Sequence, residues 1–303
     1  MIKYLLYSLI SFLVLYIISN ISYKLKLTDK PDKRKKHLKP TAYTGGLALT
    51  ITYIFSIFIF DVEYHKLNLI LSISLFIVLI GFLDDMINLN VGGKLALQII
   101  PIFYLIIYEN LHLVEIGTYE YIKFELASFS IPFTLLCIIY LINSFNYFDG
   151  LDGTLSFTTI SVLAILYFLV PDTDVRSFII NITLPLIIFL LFNFSIFKLP
   201  KLFLGDSGSL LLGFVTAFLL IFLAIKKFAH PILIAWSISI FVYEFMSINL
   251  IRLKKNKNIF ISGLDHFHHL IQKKTKSVFF TNFIVSSLNL FFFVIGYLSF
   301  VYL

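Results

Sequence analysis

The sequence predicts an all-α fold, a polytopic integral membrane helical bundle of about ten transmembrane helices, and three observations favour it. Of its 303 residues, 59% are hydrophobic and only 14% are charged, whereas about 25% of the residues in soluble domains are charged. Several apolar runs approach the roughly 20 residues that a helix needs to cross a bilayer. Glycine, proline or charged clusters interrupt these runs, as expected for loops between spans.

The apolar runs define the individual elements. We predict ten spans, at 2–23, 46–61, 67–83, 94–108, 129–143, 154–170, 177–195, 207–225, 231–251 and 277–302. The first resembles a signal peptide, but it is long for one and no A-x-A cleavage pattern follows, so we expect a transmembrane helix there. The ninth span is a candidate for a bend. Neither an internal repeat nor a low-complexity linker is visible, so residues 1–303 are expected to form one membrane domain.

The distribution of positive charge predicts which side the loops occupy. Ten spans place both termini on one side, and the loops of the opposite side hold 18 of the 24 lysines and arginines. Positively charged loops stay in the cytoplasm, so this side is predicted to be cytoplasmic. The net charge of +7 then reflects loop placement, and no nucleic-acid partner is expected. The only cysteine, Cys137, excludes a disulfide framework.

The string "NSFNYFDGLDG" carries polar residues at strict three-residue intervals, Asn143, Asn146, Asp149 and Asp152. Residues at this spacing share one face of a helix, so a single polar stripe is expected to run out of the membrane. Amide and carboxylate oxygens suit Mg²⁺ as well as hydroxyl or nucleobase contacts. The alternative is a helix end with ordinary turns built by Asn and Asp.

The string "GFLDDMINLNVGGKLALQ" places Asp84 and Asp85 directly after an apolar helix. Adjacent carboxylates repel one another unless a cation or a cationic group of a substrate joins them. Two solvated loop acids are the alternative. Lys94 opens the next helix, with Gln98 one turn further on the same face. A lysine beside carboxylates can bind phosphate as a point charge.

Two further polar groups fall on the same side. Asp206, in "KLFLGDSGSLLLGF", lies where the chain re-enters the membrane, so it either caps the helix or belongs to an anion site. His266, His268 and His269 cluster within four residues. They are candidates for binding a transition metal or a phosphate, and a purely structural cluster is the alternative.

The basic stretch "PDKRKKHLKP", which contains His37, is explained in part by topology and by attraction to anionic lipids.

Glu244 lies inside the ninth span, where an unpaired carboxylate is costly. We expect it to bond to a neighbouring helix or to pair with Arg252 or a lysine. Together these groups place acids, amides, lysine and histidine at one membrane face. Metal-assisted phosphate chemistry on a lipid-borne phosphate uses all of them.

These motifs resemble those of the polyprenyl-phosphate N-acetylhexosamine-1-phosphate transferases, of the glycosyltransferase family 4 type. The similarity covers nearly the whole chain, in the order "PDKRKKHLKP", "DD…K…Q", "NSFNYFDGLDG", "FLGDSGSLLLGF" and "DHFHH". The H-x-H-H pattern looks like the undecaprenyl-phosphate GlcNAc-1-phosphate transferase branch, because the peptidoglycan branch usually shows three consecutive histidines. Many relatives have an arginine where this chain reads "ISGLD". The sugar is therefore open between GlcNAc, GalNAc and a 6-deoxy amino sugar.

The resemblance implies a reaction and its components. A UDP-N-acetylhexosamine and undecaprenyl phosphate would give a sugar-diphospho-undecaprenol and UMP, at the cytoplasmic face of a bacterial inner membrane, to begin surface polysaccharide synthesis. Mg²⁺ is the implied metal, with Mn²⁺ as the alternative. Membrane lipids and a homodimer partner are also implied. Direct attack and a covalent enzyme intermediate both stay open.

The resemblance also assigns roles to residues by motif. Asp206 and Asp85 would bind the metal, and Asp84 or Asp85 would position or deprotonate the lipid phosphate. Asp149 and Asp152 would complete the catalytic group. The substrates would be bound by Lys94, Asn143, Asn146, His37, His266, His268 and His269.

Two other functions compete with this interpretation. Inside the family, the alternative is the phospho-MurNAc-pentapeptide transferase of peptidoglycan synthesis. From another class, a secondary transporter would also carry intramembrane acids, but it should show inverted repeats and polar sites near the bilayer midplane. The polar motifs here lie at one face, which favours the enzyme over the transporter. The expected acids are all present, which argues against a non-catalytic scaffold.

Overall fold

The secondary structure of the chain is almost entirely helical. The structure, a computed structural model, describes residues 1–30, 39–119, 121–256, 263 and 266–302. Across these residues the α-helices are α1 (Ile2–Lys24), α2 (Gly45–Ile59), α3 (His65–Ile87), α4 (Val91–Phe103), α5 (Ser130–Phe148), α6 (Thr154–Leu169), α7 (Thr173–Asn193), α8 (Gly205–Ile225), α9 (Pro231–Ser237), α10 (Ser239–Lys254), α11 (Phe267–Thr275) and α12 (Val278–Tyr302). A π-helical turn, Tyr104–Tyr108, extends α4. Two short antiparallel pairs join β1 (Thr28–Asp29) to β2 (Thr41–Ala42) and β3 (Glu115–Tyr119) to β4 (Ile122–Glu125).

The predicted all-α membrane class is confirmed, and each predicted span coincides with one helix or one pair of helices. The predicted number of ten is too high when length is considered. In the described part of the chain, seven helices are long and apolar enough to cross a membrane. An eighth span results if α9 and α10, bent by 67°, count as one. With 15 and 16 residues, α2 and α6 are shorter than a full span.

Helix α8 is the centre of the bundle, and its residues 207–223 are all buried. A helix that is apolar all round belongs in the interior, and α2, α3 and α5 pack against this one. Glycines bring the main chains together at its first turn. A methyl group on Gly46 would lie 2.2 Å from the Gly208 nitrogen, and one on Gly81 would lie 2.5 Å from Cα of Ser207. The start of α8 is thereby fixed between α2 and α3.

The bundle has two ends that differ in their loops. The site end is where α3 finishes and α8 begins. The hairpin end is where α3 begins and α8 finishes, next to the β3–β4 hairpin. At the hairpin end the Tyr64 hydroxyl donates to Asp172 at 2.8 Å, and Lys227 pairs with Glu115 at 2.9 Å. The short helix α2 also runs between these ends, because Gly46 lies against Gly208 at the site end.

An apolar cavity of about 440 Å³ lies between α5, α8 and the bent α9–α10 pair. We call it the apolar groove. Its walls include Cys137 and Tyr140 of α5, Ala217 of α8, and Ile234 and Val242 of the bent pair. Such a groove suits a hydrocarbon chain better than a polar ligand.

Candidate functional site

Lys94 joins two carboxylates that come from different helices. Its ammonium group lies 2.7 Å from Oδ2 of Asp84 and 2.5 Å from Oδ2 of Asp206. Only 13% of the lysine side chain is exposed. Lys94 is placed at the start of α4 because Asn90 caps that helix, accepting a bond from the Gly93 N–H at 2.7 Å. Lys94 therefore lies beside carboxylates, as expected, but its partners are Asp84 and Asp206 instead of the adjacent pair Asp84 and Asp85.

Asp85 performs a task that the sequence did not predict. Its Oδ1 accepts the main-chain N–H of Asp206 at 3.0 Å, and its Oδ2 accepts that of Ser207 at 3.4 Å. The carboxylate thus caps the N-terminus of α8 from the end of α3, satisfying N–H groups that have no partner inside their own helix. Asp85 therefore holds the main chain of Asp206 in place, while Asp84 points its Oδ2 to Lys94.

The expectation of one polar stripe along a single helix is wrong beyond residue 148. Helix α5 ends at Phe148, so Asp149 and Asp152 lie in the turn that follows it. Within the helix, the Asn143 amide donates to its own main chain, to the carbonyl of Ile139 at 2.7 Å. The glycines of this string favour a turn over continued helix, which explains the break.

Asn146 is the member of that string that reaches the lysine–carboxylate cluster. Its amide nitrogen donates to Oδ1 of Asp206 at 3.1 Å and to Oγ of Ser209 at 2.8 Å. Asp206 therefore receives bonds from Lys94 and Asn146 on its two oxygens. The sequence did not single out Ser209, although it lies one turn after Asp206 in the same motif.

Asp149 and Asp152 have different surroundings. Burial, together with the charges of Asp206 and Asp152, raises the pKa of Asp149 to about 8. Asp152 instead pairs with Lys201 at 2.6 Å. Lys201 was missed by sequence reasoning, although its place four residues before the G-D-S-G motif is a signal that could have found it.

The histidine segment is anchored to α10. Nδ1 of His266 lies 3.2 Å from Oε1 of Glu244, and the Phe267 N–H donates to the same oxygen at 2.8 Å. The expected bond of Glu244 to a neighbouring helix is thus present, and its partner is the start of α11. His37 and most of the basic stretch around it lie outside the described residues.

His268 is the most enclosed of the three histidines. It is fully buried, and neither ring nitrogen has a hydrogen-bond partner among the described residues. Burial, with His269 and His266 next to it, holds the pKa of His268 well below its usual range. The ring lies against Gly150, where a methyl group would be 2.3 Å from Nε2 of His268 and 3.0 Å from Nε2 of His269. The lowered pKa keeps the His268 ring neutral. The ring can approach the acidic turn because residue 150 has no side chain.

The chemistry of the donor set fits a hard divalent cation. Asp149 and Asp206 are close enough to perturb each other, and a half-buried pair of acids favours a proton or a cation between them. Carboxylate and amide oxygens are the ligands that Mg²⁺ uses. Across the described ranges, no three His, Cys, Asp or Glu side chains form a ready metal cage.

Comparison with known proteins gives one family and several relatives with the same described activity. Residues 67–224 match the family described as glycosyl transferase family 4. The chain is 28% identical over 270 residues to the undecaprenyl-phosphate alpha-N-acetylglucosaminyl 1-phosphate transferase of Escherichia coli O157:H7, covering 86% of this chain and 73% of that protein. The protein of the same name from Yersinia pestis is 28% identical over 273 residues, 88% of this chain and 74% of its own length. The probable undecaprenyl-phosphate N-acetylglucosaminyl 1-phosphate transferase of Bacillus subtilis (strain 168) is 27% identical over 267 residues, 84% and 72% of the two chains.

Proposed function

The chain belongs to glycosyl transferase family 4, and we propose that it transfers N-acetylglucosamine-1-phosphate from UDP-GlcNAc to undecaprenyl phosphate. The products would be GlcNAc-diphospho-undecaprenol and UMP, at the start of a surface polysaccharide. The observation that carries the proposal is the buried Lys94 held between Asp84 and Asp206 at the end of a multi-pass membrane bundle. The names of the relatives favour neither the peptidoglycan enzyme nor a transporter.

The proposed reaction joins two anions, so charge must be balanced first. An oxygen of the lipid phosphate attacks the β-phosphorus of the UDP-sugar and forms the new P–O bond. The bond from that phosphorus to the bridging oxygen breaks, and UMP leaves with its electron pair. Lys94 is placed to offset the negative charge of both reactants and of the departing UMP.

Of the two adjacent acids, we assign the direct role to Asp84. Both oxygens of Asp85 accept main-chain N–H groups of α8, whereas Oδ2 of Asp84 meets Lys94, the group expected to bind phosphate. Asp84 would therefore position the lipid phosphate or take its proton. Asp85 would act through the placement of Asp206.

We propose that Asp206, with its neighbour Asp149, holds Mg²⁺, and that Mn²⁺ can replace it. The support is the acid-rich donor set and the raised pKa of Asp149, which a bound cation would lower again. When bound, the metal supplies electrostatic stabilisation of the charge on the diphosphate. Asn146 orients the Asp206 carboxylate, and Lys201 does the same for Asp152.

The apolar groove is the proposed place for part of the prenyl chain. Its lining is almost entirely apolar, and it lies between α5, α8 and the bent α9–α10 pair. The excess of lysine and arginine in loops at the site end supports a cytoplasmic site in a bacterial inner membrane. Homodimer formation stays a prediction.

The proposed function is tested by UMP release from the purified protein. Undecaprenyl phosphate, Mg²⁺ and one of UDP-GlcNAc, UDP-GalNAc or UDP-MurNAc-pentapeptide are supplied in parallel reactions. We expect UMP with UDP-GlcNAc only when the lipid is present, and loss of activity with a chelator that Mg²⁺ restores. Lipid-dependent release from another sugar would change the donor. No release from any of the three by folded protein would overturn the proposal.

The groove can be tested separately with the native cysteine. Cys137 is the only cysteine in the chain and lines the groove, so its reaction with a small maleimide reports occupancy. Undecaprenyl phosphate should slow the labelling of Cys137. The matched control is Phe58→Cys in a Cys137→Ser background, because Phe58 is exposed on α2 away from the groove lining. Equal protection of both positions would contradict a specific groove.

A further inference from the structure

Glu244 combines three features that a carboxylate in a membrane-spanning helix rarely has without a specific role. It is 4% exposed, it contacts a histidine of the site, and it accepts a main-chain N–H from another helix. We propose that Glu244 is a positioning residue that fixes the tautomer and the ring orientation of His266. This inference rests on the proposed function, because it assigns His266 to the substrate site.

The hydrogen-bond pattern identifies the donor in the pair. Oε1 of Glu244 accepts the N–H of Phe267 at 2.8 Å, so this oxygen is an acceptor in the structure. The His266 nitrogen that faces the same oxygen, Nδ1 at 3.2 Å, must then carry the hydrogen. A neutral imidazole carries only one hydrogen, so Nε2 has a free lone pair. His266 is thereby prepared to accept a hydrogen bond from a substrate O–H or N–H.

Glu244 also replaces a cap that α11 lacks. His266 is the residue before the first turn of α11, and its own side chain makes no capping bond there. The first N–H of α11 belongs to Phe267 and donates to Glu244 instead. One carboxylate oxygen thus binds the histidine ring and the main chain next to it. The ring and its segment are placed together relative to α10.

The position of Glu244 is itself rigid. The next residue, Phe245, packs against two tyrosines of α5, with ring centroids 4.8 Å from Tyr140 and 4.9 Å from Tyr147. The Tyr140 hydroxyl donates to the carbonyl of Val242 at 2.8 Å. This stretch of α10 is therefore fixed against α5, the helix that carries Asn146. Because Glu244 holds His266, the position of the histidine relative to α5 and the lysine–carboxylate cluster is also fixed.

Other aromatic and charged groups pack around the ring of His266. Tyr147 meets His266 edge-on, with centroids 5.8 Å apart, and Arg252 lies 5.9 Å above the Tyr147 ring. His268 stacks on His266 at 5.4 Å. These three are ring contacts, and among the described residues the hydrogen bond of His266 Nδ1 goes to Glu244. The carboxylate is therefore the group that selects the tautomer.

The direct test is a spectroscopic measurement on the wild-type protein. With ¹⁵N-labelled histidine at pH 8.5, where an ordinary imidazole is neutral, the His266 signals are assigned by their loss in His266→Ala. We expect the Nδ1–H form, the reverse of the form that free histidine prefers. Glu244→Gln, which keeps an acceptor oxygen, should retain that form, and Glu244→Met should convert it to Nε2–H. An Nε2–H form in the wild-type protein would overturn the proposal, and this result needs no variant at Glu244.

A double-mutant cycle then separates positioning from a purely structural role. Glu244→Met should lower kcat by about 10-fold or more, the scale on which a supporting partner acts, and Glu244→Gln should restore it to within about 3-fold of wild type. In the His266→Ala background, Glu244→Met should cost less than 2-fold. An equal loss in both backgrounds would overturn the proposal.

Two controls make the result specific. Tyr243→Phe changes an exposed residue on the same helix and should leave kcat unchanged. The tautomer measurement needs no turnover. A wild-type protein that fails to release UMP would therefore count against the proposed function while leaving the Glu244–His266 test intact.

Discussion

The site end and the hairpin end both pair lysines with carboxylates. At the hairpin end two lysines share one carboxylate, and at the site end two carboxylates share one lysine. At the hairpin end, Glu115 meets two cations, Lys227 at 2.9 Å and Lys123 at 3.0 Å. Hydrogen bonds from these lysines lower the pKa of Glu115. At the site end, among the residues that the structure describes, Lys94 is the one cation paired with Asp84 and Asp206.

The lysines at the two ends also differ in how much of the side chain is exposed to solvent. The Lys227 side chain is 74% exposed, whereas that of Lys94 is 13% exposed. Water therefore screens the charge of Lys227 more than that of Lys94. Carboxylates in excess of their cation favour a ligand that brings positive charge. The comparison therefore distinguishes a surface ion pair from the proposed binding site.

The largest expected difference comes from removing one carboxylate charge at each end. Asp206→Asn should leave the protein folded and lower kcat for UMP release at least ~10²-fold, the scale of losing one electrostatic contributor. Glu115→Gln removes a charge that is also bonded to lysine and should stay within about 2-fold of wild type. Near wild-type turnover by purified Asp206→Asn would contradict the assignment of Asp206 to the metal and phosphate site.

The lysines can be compared in the same way through stability. Lys94→Gln leaves Asp84 and Asp206 without their shared cation, so we expect a loss of about 3 kcal/mol in the free energy of unfolding. Lys227→Gln, at the hairpin end, should cost less than about 1 kcal/mol. The two apparent Tm values, measured in the same detergent without added metal, decide this. Equal shifts would mean that burial does not distinguish the two ends.

A glycine pair tests whether the histidines must reach the acidic turn. Gly150→Ala would push a methyl group into His268 and should lower kcat/KM by about 10-fold, since small misplacements near reacting groups are costly. Gly92→Ala is the matched control, because the nearest atom to its new methyl group is 3.6 Å away. A loss in both variants, or in neither, would show that the approach of His268 to residue 150 is unimportant.

The surroundings of Asp149 predict a pH dependence of stability at the site end. The folded-state pKa of Asp149, about 8, lies above the ordinary value near 3.9. The folded protein therefore keeps a proton that the unfolded chain has lost. Stability in metal-free buffer should fall as the pH rises from about 5 to 8, by at most about 1.4 kcal/mol per pH unit. Asp149→Asn should reduce the slope of stability against pH. An unchanged slope in that variant would contradict the raised pKa of Asp149.

The sequence predicted the helices well because apolar runs and their interruptions are local signals. It also grouped Asp84, Lys94, Asn146 and Asp206 correctly at one end, since alternation of the spans is enough to sort them. It could not give the pairing within that group. Lys94 and Asp206 are separated by 112 residues, and no local pattern shows which carboxylates a lysine will join.

Three features escaped sequence reasoning for physical reasons. The capping of α8 by Asp85 depends on how two distant helices meet. The polar ladder was extended too far, because spacing alone does not show that α5 stops at Phe148. The nine-residue helix α11 was expected to be loop, since it is amphipathic and too short to give a membrane signal.

The main-chain approach of α2, α3 and α8 has a consequence for an enzyme that works in different lipids. Bilayers vary in thickness, and helices respond mainly by tilting. At Gly46 and Gly81 no side chain separates the three helices, so they cannot tilt independently without main-chain collision. Adjustment is expected instead at the 67° bend between α9 and α10. The distance between the acids should therefore be the same in thin and thick membranes, while the wall of the apolar groove adapts.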